Sequence, residues 1–303
     1  MTADSLPADQ VAFRSQGLGG SDIGPMLGLS QWKSPMDLWA EKIGHKPYDD
    51  IGDRDAVRFG ILLEAIVAKE FARRTGKKVR RMRKTRVHKK FDFMLANIDR
   101  DIVGERAGLE CKTASAWLQQ HWGDTGTDDL PLYYLTQCAH YMEVLDYDRW
   151  YCAVLIGGQD FRWYVIERNE AIATALIEKE SQFWRSVLSG VPPEATSFAD
   201  MVTLYPADNS PTVVATDAIF KTLSDLATLN ATAKEIEGQR ENLKTQIGQF
   251  MGSAGRLTDR AGTILATWLA HERTNIDTKA LKARYPEIYA ELASTSTVRP
   301  FRI

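Results

Sequence analysis

The sequence contains no uninterrupted apolar run near the roughly 20 residues that a helix needs to cross a bilayer. Its first ten residues, MTADSLPADQ, lack both the basic and the apolar stretch of a secretory signal. We therefore expect a cytoplasmic protein with no membrane-spanning segment. A chain of 303 residues, 44% hydrophobic and 26% charged, is long enough for one large globular domain and a smaller one.

Cysteine is scarce, and its positions argue against several kinds of site. Cys111, Cys138 and Cys152 are odd in number and widely spaced. A disulfide framework, a zinc ribbon or an iron–sulfur cluster needs a larger or more closely spaced set. The pattern is typical of a protein in a reducing cytosol.

Acidic residues are absent from positions 71 to 91, although the formal net charge of the whole chain is only −2. A solvated charged face is one interpretation of this segment. The complete lack of acids favours the other, a surface that contacts phosphates. The segment holds eleven basic residues: Arg73, Arg74, Lys77, Lys78, Arg80, Arg81, Arg83, Lys84, Arg86, Lys89 and Lys90.

Hydrophobic spacing predicts the elements of the first 200 residues. A Gly-rich turn leads into a short helix, which Ser21 or Asp22 can cap. Strand-like patterns and a turn around 101–108 predict a hairpin whose second strand begins at Gly108. The other predicted helices lie at about 35–43, 57–75, 131–145 and 170–188, and the strands at about 78–97, 108–113, 150–156 and 161–167.

The chain is predicted to divide into a first domain of residues 1–200, a linker of residues 201–215 and a C-terminal module of residues 216–303. The module begins with a long helix of heptad-like apolar spacing, interrupted by Arg240. A strand pair near 256–257 and 263–269 and a helix near 278–292 follow it. The heptad pattern indicates contact with another chain or packing against the first domain.

Four residues form a candidate catalytic group. Glu110 and Lys112 are two apart on a predicted strand, so their side chains share one face, while Cys111 faces the opposite, apolar side. The hairpin can bring Asp99, at the end of the preceding strand, beside Glu110, and Glu64 on the preceding helix can reach the same point. Three converging carboxylates repel each other unless a divalent cation binds, and hard oxygen ligands favour Mg²⁺ or Mn²⁺. A lysine beside such a metal suits phosphodiester hydrolysis.

Aromatic and polar residues follow this strand. Gln137 and Tyr141 share one face of the next predicted helix. Trp117 and Trp122 flank a loop just after the strand, where an aromatic ring can stack on nucleic-acid bases. Burial in the core is the more common fate of tryptophan, and we expect it for both.

The order of these segments resembles the PD-(D/E)xK nuclease fold, and specifically the YqaJ-type viral recombinases related to lambda exonuclease. The segments are GLGGSDIGPMLGLSQWKSPMDLW, FGILLEAIVAKEF, LANIDRD, LECKT, QCAHYMEV and a Gly-Gly strand pair ending in YVIER, within about residues 10 to 193. Ile98 stands where the family name has proline. The resemblance implies an α/β (α+β) fold whose mixed central sheet is flanked by helices, with the C-terminal helical or α+β module added to it.

The resemblance also implies roles for individual residues. Glu64, Asp99, Glu110 and the backbone carbonyl of Cys111 would bind the metal. Glu110, Lys112 and Gln137 would be catalytic. Tyr141 would hold the DNA strand, and Arg14 and Ser21 would bind the 5′-phosphate of the DNA end. The charge of the basic segment, and not the resemblance, adds Arg80, Arg81, Arg83 and Lys84 as DNA contacts.

By the same resemblance, the protein is expected to be a Mg²⁺-dependent exonuclease, with Mn²⁺ as a substitute, that degrades linear double-stranded DNA in the 5′-to-3′ direction. The resemblance implies a phage or prophage recombination protein in the bacterial host cytoplasm. It also implies a single-strand annealing protein as partner and a homo-oligomer, in the form of a ring-shaped trimer. Two alternatives remain: a phage-type endonuclease that uses the same site, and a non-catalytic DNA-binding protein of the same fold.

Overall fold

The computed structural model describes residues 15–48, 54–208, 212–294 and 298–303. The chain separates into two compact units, residues 1–205 and 206–303. The helices of the first unit are α1 (Gly20–Met26), α2 (Pro35–Lys42), α3 (Asp55–Thr75), α4 (Leu132–Leu145), α5 (Glu170–Ser189) and α6 (Phe198–Leu204). Its strands are β1 (Leu18–Gly19), β2 (Val79–Arg81), β3 (Arg86–Val87), β4 (Met94–Ala96), β5 (Arg100–Ile102), β6 (Ala107–Ala114), β7 (Arg149–Ile156) and β8 (Asp160–Glu167).

A five-stranded mixed sheet in the order β2-β5-β6-β7-β8 carries the first unit. The β6 and β7 strands are parallel and are connected through α4, whereas the other neighbouring strands are antiparallel. The inner strand β7 is apolar almost throughout because both of its faces are covered. This architecture confirms the predicted mixed sheet flanked by helices.

Two apolar cores lie against the five-stranded sheet. On one side, Val67 and Phe71 of α3 pack with Leu109 of β6 and Tyr151 of β7. Cys111 packs against this core, as its predicted direction requires. The other core contains Trp150, Cys152 and Tyr164 together with α1, α2, α4 and α5. Alternation along β6 therefore sends Glu110 and Lys112 to the α4 side.

Glycines allow α1 to approach α4 closely. A Cβ atom at Gly20 would lie 2.5 Å from the ring of Tyr141, and one at Gly24 would lie 2.1 Å from the ring of Tyr133. Any larger side chain would therefore push the two helices apart. The same constraint applies within the sheet, where a Cβ atom at Gly108 would lie 2.2 Å from the indole of Trp150.

The connection around Asp99 differs from the predicted hairpin. The chain leaves β4, which pairs with β1 and β3, and enters β5, which pairs with β2 and β6. Asp99 lies in this crossing, just before β5, and does not end the first strand of a hairpin. The turn that leads into β6 is shorter than expected because Asp101 and Ile102 belong to β5.

The predicted linker of residues 201–215 is also wrong in its first part. Residues 201–204 belong to α6, whose N-cap is Ser197. The carboxylate of Asp200 accepts hydrogen bonds from the backbone N–H groups of Thr196 and Ser197 and from the Ser34 hydroxyl, which ties α6 to the start of α2. These contacts join residues far apart in the chain, so local composition does not reveal them.

The second unit contains α7 (Asp217–Met251), the antiparallel strands β9 (Arg256–Thr258) and β10 (Ile264–Thr267), α8 (Thr278–Arg284) and α9 (Pro286–Leu292). The single helix predicted near 278–292 is broken at Pro286, because proline lacks the backbone N–H that would continue the ladder. In the described ranges, no helix has both the length and the apolar composition that a membrane span requires.

We predict that Gly108→Ala destabilises the first unit. The added Cβ overlaps the fully buried indole of Trp150, and overpacking of this kind costs about 1–3 kcal/mol. Thermal unfolding followed by circular dichroism measures the loss. Gly60→Ala in α3 is the matched control, because its nearest neighbour would lie at 3.8 Å and alanine favours a helix. Equal melting temperatures for the two variants would contradict the prediction.

Candidate active site

Glu110 and Lys112 project from β6 toward α4, where they meet two side chains of that helix. Lys112 Nζ donates to Glu110 Oε1 at 2.6 Å and to Gln137 Oε1 at 3.1 Å. Gln137 Nε2 donates to Glu110 Oε1 at 2.8 Å and to the hydroxyl of Tyr141 at 3.0 Å. The structure therefore brings together four of the residues chosen from the sequence.

Asp99 is fixed beside this group by the backbone of β6. Its Oδ2 accepts a hydrogen bond from the Cys111 N–H at 2.7 Å. Burial, and then the negative charge of Glu110, raise the pKa of Asp99 well above its ordinary value, although Lys112 opposes the shift. Burial lowers the pKa of Lys112, but the charges of Glu110 and Asp99 outweigh it and raise the pKa above the ordinary lysine value. The two carboxyls therefore interact strongly with each other and with the lysine.

Glu64 is near Asp99 but is held by a different partner. Arg100 Nη1 donates to Glu64 Oε1 at 2.5 Å and to the backbone carbonyl of Asp99 at 2.6 Å. Arg100 is 7% exposed and is therefore a buried cation at the site. Sequence reasoning missed it, although an arginine directly after Asp99 in a buried strand was an available signal.

The described residues contain no group of three or more His, Cys, Asp or Glu side chains arranged to hold a metal ion. One observation nevertheless fits a cation. Glu110 Oε2 is buried and has no hydrogen-bond partner among the described residues. An unpartnered buried carboxylate oxygen is unfavourable, and the carboxyl group of Asp99 lies near enough to interact with Glu110. Such a donor set fits a hard divalent cation.

Aromatic rings support the lysine from the opposite side. Lys112 Nζ lies 4.9 Å from the centroid of the Tyr134 ring, within the range of a cation–π contact. Trp122 stacks on Tyr134 with 5.4 Å between centroids and 24° between planes. Trp122 is buried, as predicted. The same prediction is wrong for Trp117, which is 87% exposed on the 3₁₀ helix Ala116–His121.

The N-terminal residues have a different arrangement from the predicted one. Arg14 lies outside the described residues. Gly19 is the N-cap of α1, and Asp22 accepts its N–H at 3.0 Å, so neither Ser21 nor Asp22 is the cap. Ser21 is exposed one residue after Gly20, which contacts Tyr141. Tyr141 itself is 4% exposed, so its contacts are within the protein.

The basic segment forms an edge of the five-stranded sheet. Arg80 and Arg81 lie on β2, the terminal strand, and Arg83 and Lys84 follow it. All four residues are exposed. Arg80 pairs with Asp101 at 2.6 Å, whereas the other three form no ion pair within the described ranges. This edge therefore presents positive charge that protein carboxylates leave uncompensated.

A buried ion pair holds α4 in place beneath the site. His140 Nδ1 lies 2.9 Å from Glu180 Oε1 of α5, and its Nε2 lies 2.9 Å from the carbonyl oxygen of Leu95 in β4. Both ring nitrogens face acceptors, so both donate and the ring is charged. Burial lowers the pKa of His140, but Glu180 and the carbonyl of Leu95 outweigh it and raise the pKa above the ordinary value.

Comparison with known proteins gives three findings. The family described as the YqaJ-like viral recombinase domain matches residues 9–148. The uncharacterized protein YqaJ of Bacillus subtilis (strain 168) is 37% identical over 298 residues, which cover 96% of this chain and 92% of that protein. The crystal structure of an alkaline exonuclease, LHK-Exo, from Laribacter hongkongensis aligns with a TM-score of 0.50 at 15% identity, covering 60% of this chain and 93% of the other. This last likeness concerns the fold.

We predict that the His140–Glu180 pair makes stability depend on pH. The folded pKa of His140 lies above its unfolded value of about 6.5. The stabilisation is therefore complete below that value and is lost as the pH rises through the folded pKa. Glu180→Gln should lower the free energy of unfolding by about 3–5 kcal/mol at low pH. In this variant the free energy of unfolding should also change less as the pH rises into the alkaline range.

Urea unfolding of wild type and variant between pH 5 and pH 9 measures both effects. His121→Gln is the control, because His121 is exposed on the 3₁₀ helix. The interpretation is wrong if the wild type and Glu180→Gln show the same pH profile.

Proposed function

Because this chain belongs to the YqaJ-like viral recombinase family, we propose that it is an exonuclease that hydrolyses the phosphodiester bonds of linear double-stranded DNA in the 5′-to-3′ direction. The observation that carries the proposal is the buried group around Glu110. Its carboxylate has one oxygen bound to Lys112 and Gln137 and one oxygen without a partner. Buried carboxylate oxygens are rarely left without a partner, and the free Oε2 is available to a bound cation.

We propose Mg²⁺ as the cofactor, with Mn²⁺ as a substitute. Glu64, Asp99, Glu110 and the backbone carbonyl of Cys111 would hold it. When bound, such an ion lowers the pKa of a water molecule and neutralises negative charge on the phosphate. The proposal is supported by the free Oε2 of Glu110 and by the raised pKa of Asp99.

The side chains of the protein position the reacting groups and supply positive charge to the phosphate. Lys112 is held by two acceptors and an aromatic ring, so its N–H groups have a fixed direction toward the site. They can donate to a phosphate oxygen or orient the attacking water. Gln137 contributes by fixing both the lysine and the carboxylate, and Tyr141 fixes Gln137. A preorganised donor of this kind stabilises charge that develops in the transition state.

DNA would approach along the basic edge, where Arg80, Arg81, Arg83 and Lys84 can contact phosphates. We propose that Arg14 and Ser21 hold the 5′-phosphate of the DNA end. Ser21 lies at the start of α1, beside the helix residue that touches Tyr141, which supports this proximity to the site.

Digestion from the 5′ end would leave a 3′ single strand for an annealing protein in phage-type recombination. We propose that such an annealing protein is the partner. A ring-shaped trimer in the bacterial host cytoplasm would keep the enzyme on the duplex between successive cuts, because a closed ring cannot leave sideways. We propose that the second unit takes part in these subunit or partner contacts.

We predict that Lys112→Ala abolishes Mg²⁺-dependent digestion of linear 5′-phosphorylated duplex DNA. Removing one positioned donor should reduce the rate by at least about 100-fold. The assay follows nucleotide release from the linear duplex beside a closed circular plasmid. Lys179→Ala, on the exposed face of α5, is the matched control and should retain full activity.

Loss of the linear substrate alone supports an exonuclease at this site. Cutting of the closed circle would instead favour an endonuclease that uses the same residues. If the wild type binds DNA and cuts neither substrate with any divalent metal, the protein is a DNA-binding protein and not a nuclease.

We predict that the basic edge determines the salt dependence of DNA binding. Arg83→Gln and Lys84→Gln should each reduce the slope of log K against log salt concentration by about 1, because each side chain would release one counterion from a phosphate. Arg73→Gln is the control, since Arg73 pairs with Glu70 on α3. Binding is measured by fluorescence anisotropy in EDTA. Unchanged slopes in both variants would show that this edge does not contact DNA phosphates.

A further inference from the structure

We propose that Trp117 forms a stacking site for an unpaired nucleobase at the DNA end, next to the active site. This inference rests on the proposed function. It assigns a specific contact to a residue that the catalytic group does not use. Four features of the structure carry it: exposure, rigidity, position and the charge of the surroundings.

The exposure of Trp117 is unusual for its residue type. Its side chain is 87% exposed, whereas Trp122, five residues later, is 4% exposed. Tryptophan normally buries most of its large apolar surface. An indole held in water contributes little to the fold, and its face is available to a ligand. A single exposed apolar residue is not enough to establish this, and the local backbone adds the second argument.

The backbone below Trp117 is firmly held. Leu118 N–H donates to the Ser115 carbonyl at 3.0 Å, and Gln119 Nε2 donates to Asp160 Oδ2 at 3.1 Å. The Trp122 N–H donates to the Gln119 carbonyl at 3.1 Å. The two backbone bonds close the turns of the 3₁₀ helix, and the Gln119 side chain ties it to the start of β8. An indole has only two rotatable bonds, and on a fixed backbone it loses little entropy on binding, so this arrangement favours a stacking contact.

The position of Trp117 ties it to catalysis. It follows Lys112 by five residues, across the end of β6 at Ala114. A chain of five residues spans at most about 17 Å, so the Cα atom of Trp117 lies within that distance of the Cα atom of Lys112, a span of a few nucleotides. Trp122, which ends the same 3₁₀ helix, stacks on Tyr134 of α4, whose ring lies 4.9 Å from Lys112 Nζ. An unpaired base beside the scissile phosphate is thus within reach of the indole.

The 3₁₀ helix that carries Trp117 contributes no negative charge to the path of DNA. The segment 114–122, ASAWLQQHW, contains no acidic residue. The nearby Asp160 bonds to Gln119 and forms an ion pair with Arg162 at 2.6 Å, so its charge is compensated. Because every base has a π face, stacking on the indole would be tolerant of sequence, as a processive nuclease requires.

The test is a double-mutant cycle between the indole and the DNA bases. Two 5′-phosphorylated duplexes are compared, one with three mismatched terminal pairs and one with three abasic nucleotides at the same positions of the strand to be cut. Dissociation constants are measured by fluorescence anisotropy in EDTA, with the label at the far end. The proteins are full-length wild type, Trp117→Ala and Trp117→Phe. Leu188→Ala is the control, because Leu188 is 73% exposed at the end of α5.

Trp117→Ala should weaken binding of the mismatched duplex by about 5- to 100-fold, as expected for the loss of one stacked base. On the abasic duplex the dissociation constants of wild type and Trp117→Ala should be about equal. Trp117→Phe should retain most of the affinity, and Leu188→Ala should equal the wild type on both duplexes.

An equal effect of Trp117→Ala on both duplexes would overturn the inference, since the contact would then not involve a base. So would an equal loss in Leu188→Ala. The wild type is assayed separately for Mg²⁺-dependent cleavage of the mismatched duplex. If it cleaves and the binding ratio does not depend on the bases, only the stacking site is wrong. If it binds both duplexes and cleaves neither, the proposed nuclease function fails instead.

Discussion

The burial of the Glu110 carboxylate is the constraint on which the rest of the first unit depends. A carboxylate that is 4% exposed is tolerable only with charged and hydrogen-bonded partners. Lys112 supplies the charge from two positions along the same strand, and Gln137 supplies an N–H from α4. The helix must therefore lie close to β6 and in one rotational position. Its packing is a consequence of the chemistry it serves.

The contacts that fix α4 are distributed over elements distant in the chain. Gly20 allows α1 to reach Tyr141, and Tyr141 in turn bonds to Gln137. On the far side, His140 links α4 to Glu180 of α5 and to the β4 backbone, a few residues before Asp99. The buried His140–Glu180 pair thus helps to hold both the helix that carries Gln137 and the strand that leads to Asp99.

Much of this site could be predicted from local patterns. Alternation on β6 placed Glu110 and Lys112 on one face, and the helical period placed Gln137 beside Tyr141. Other features depend on contacts that no local pattern encodes. The crossing at Asp99 between two sheets results from strand pairing with β1, β2 and β3, and the ion pair between Arg100 and Glu64 joins residues 36 positions apart. The exposure of Trp117 could not be predicted either, because tryptophan as a residue type is usually buried and the local sequence gives no contrary signal.

The charge balance of the site argues that its carboxylates are arranged for a ligand. Lys112 and Arg100 neutralise one oxygen each on Glu110 and Glu64, while Asp99 receives only a backbone N–H. Glu110 opposes the ionisation of Asp99, and burial strengthens this repulsion. A fold selected for stability alone would replace one of these acids with a neutral residue, since breaking up a like-charged buried pair is stabilising. The presence of both acids, with one Glu110 oxygen unpartnered, agrees with the proposed cation site, because Asp99 and Glu110 would hold the ion and its charge would offset their repulsion.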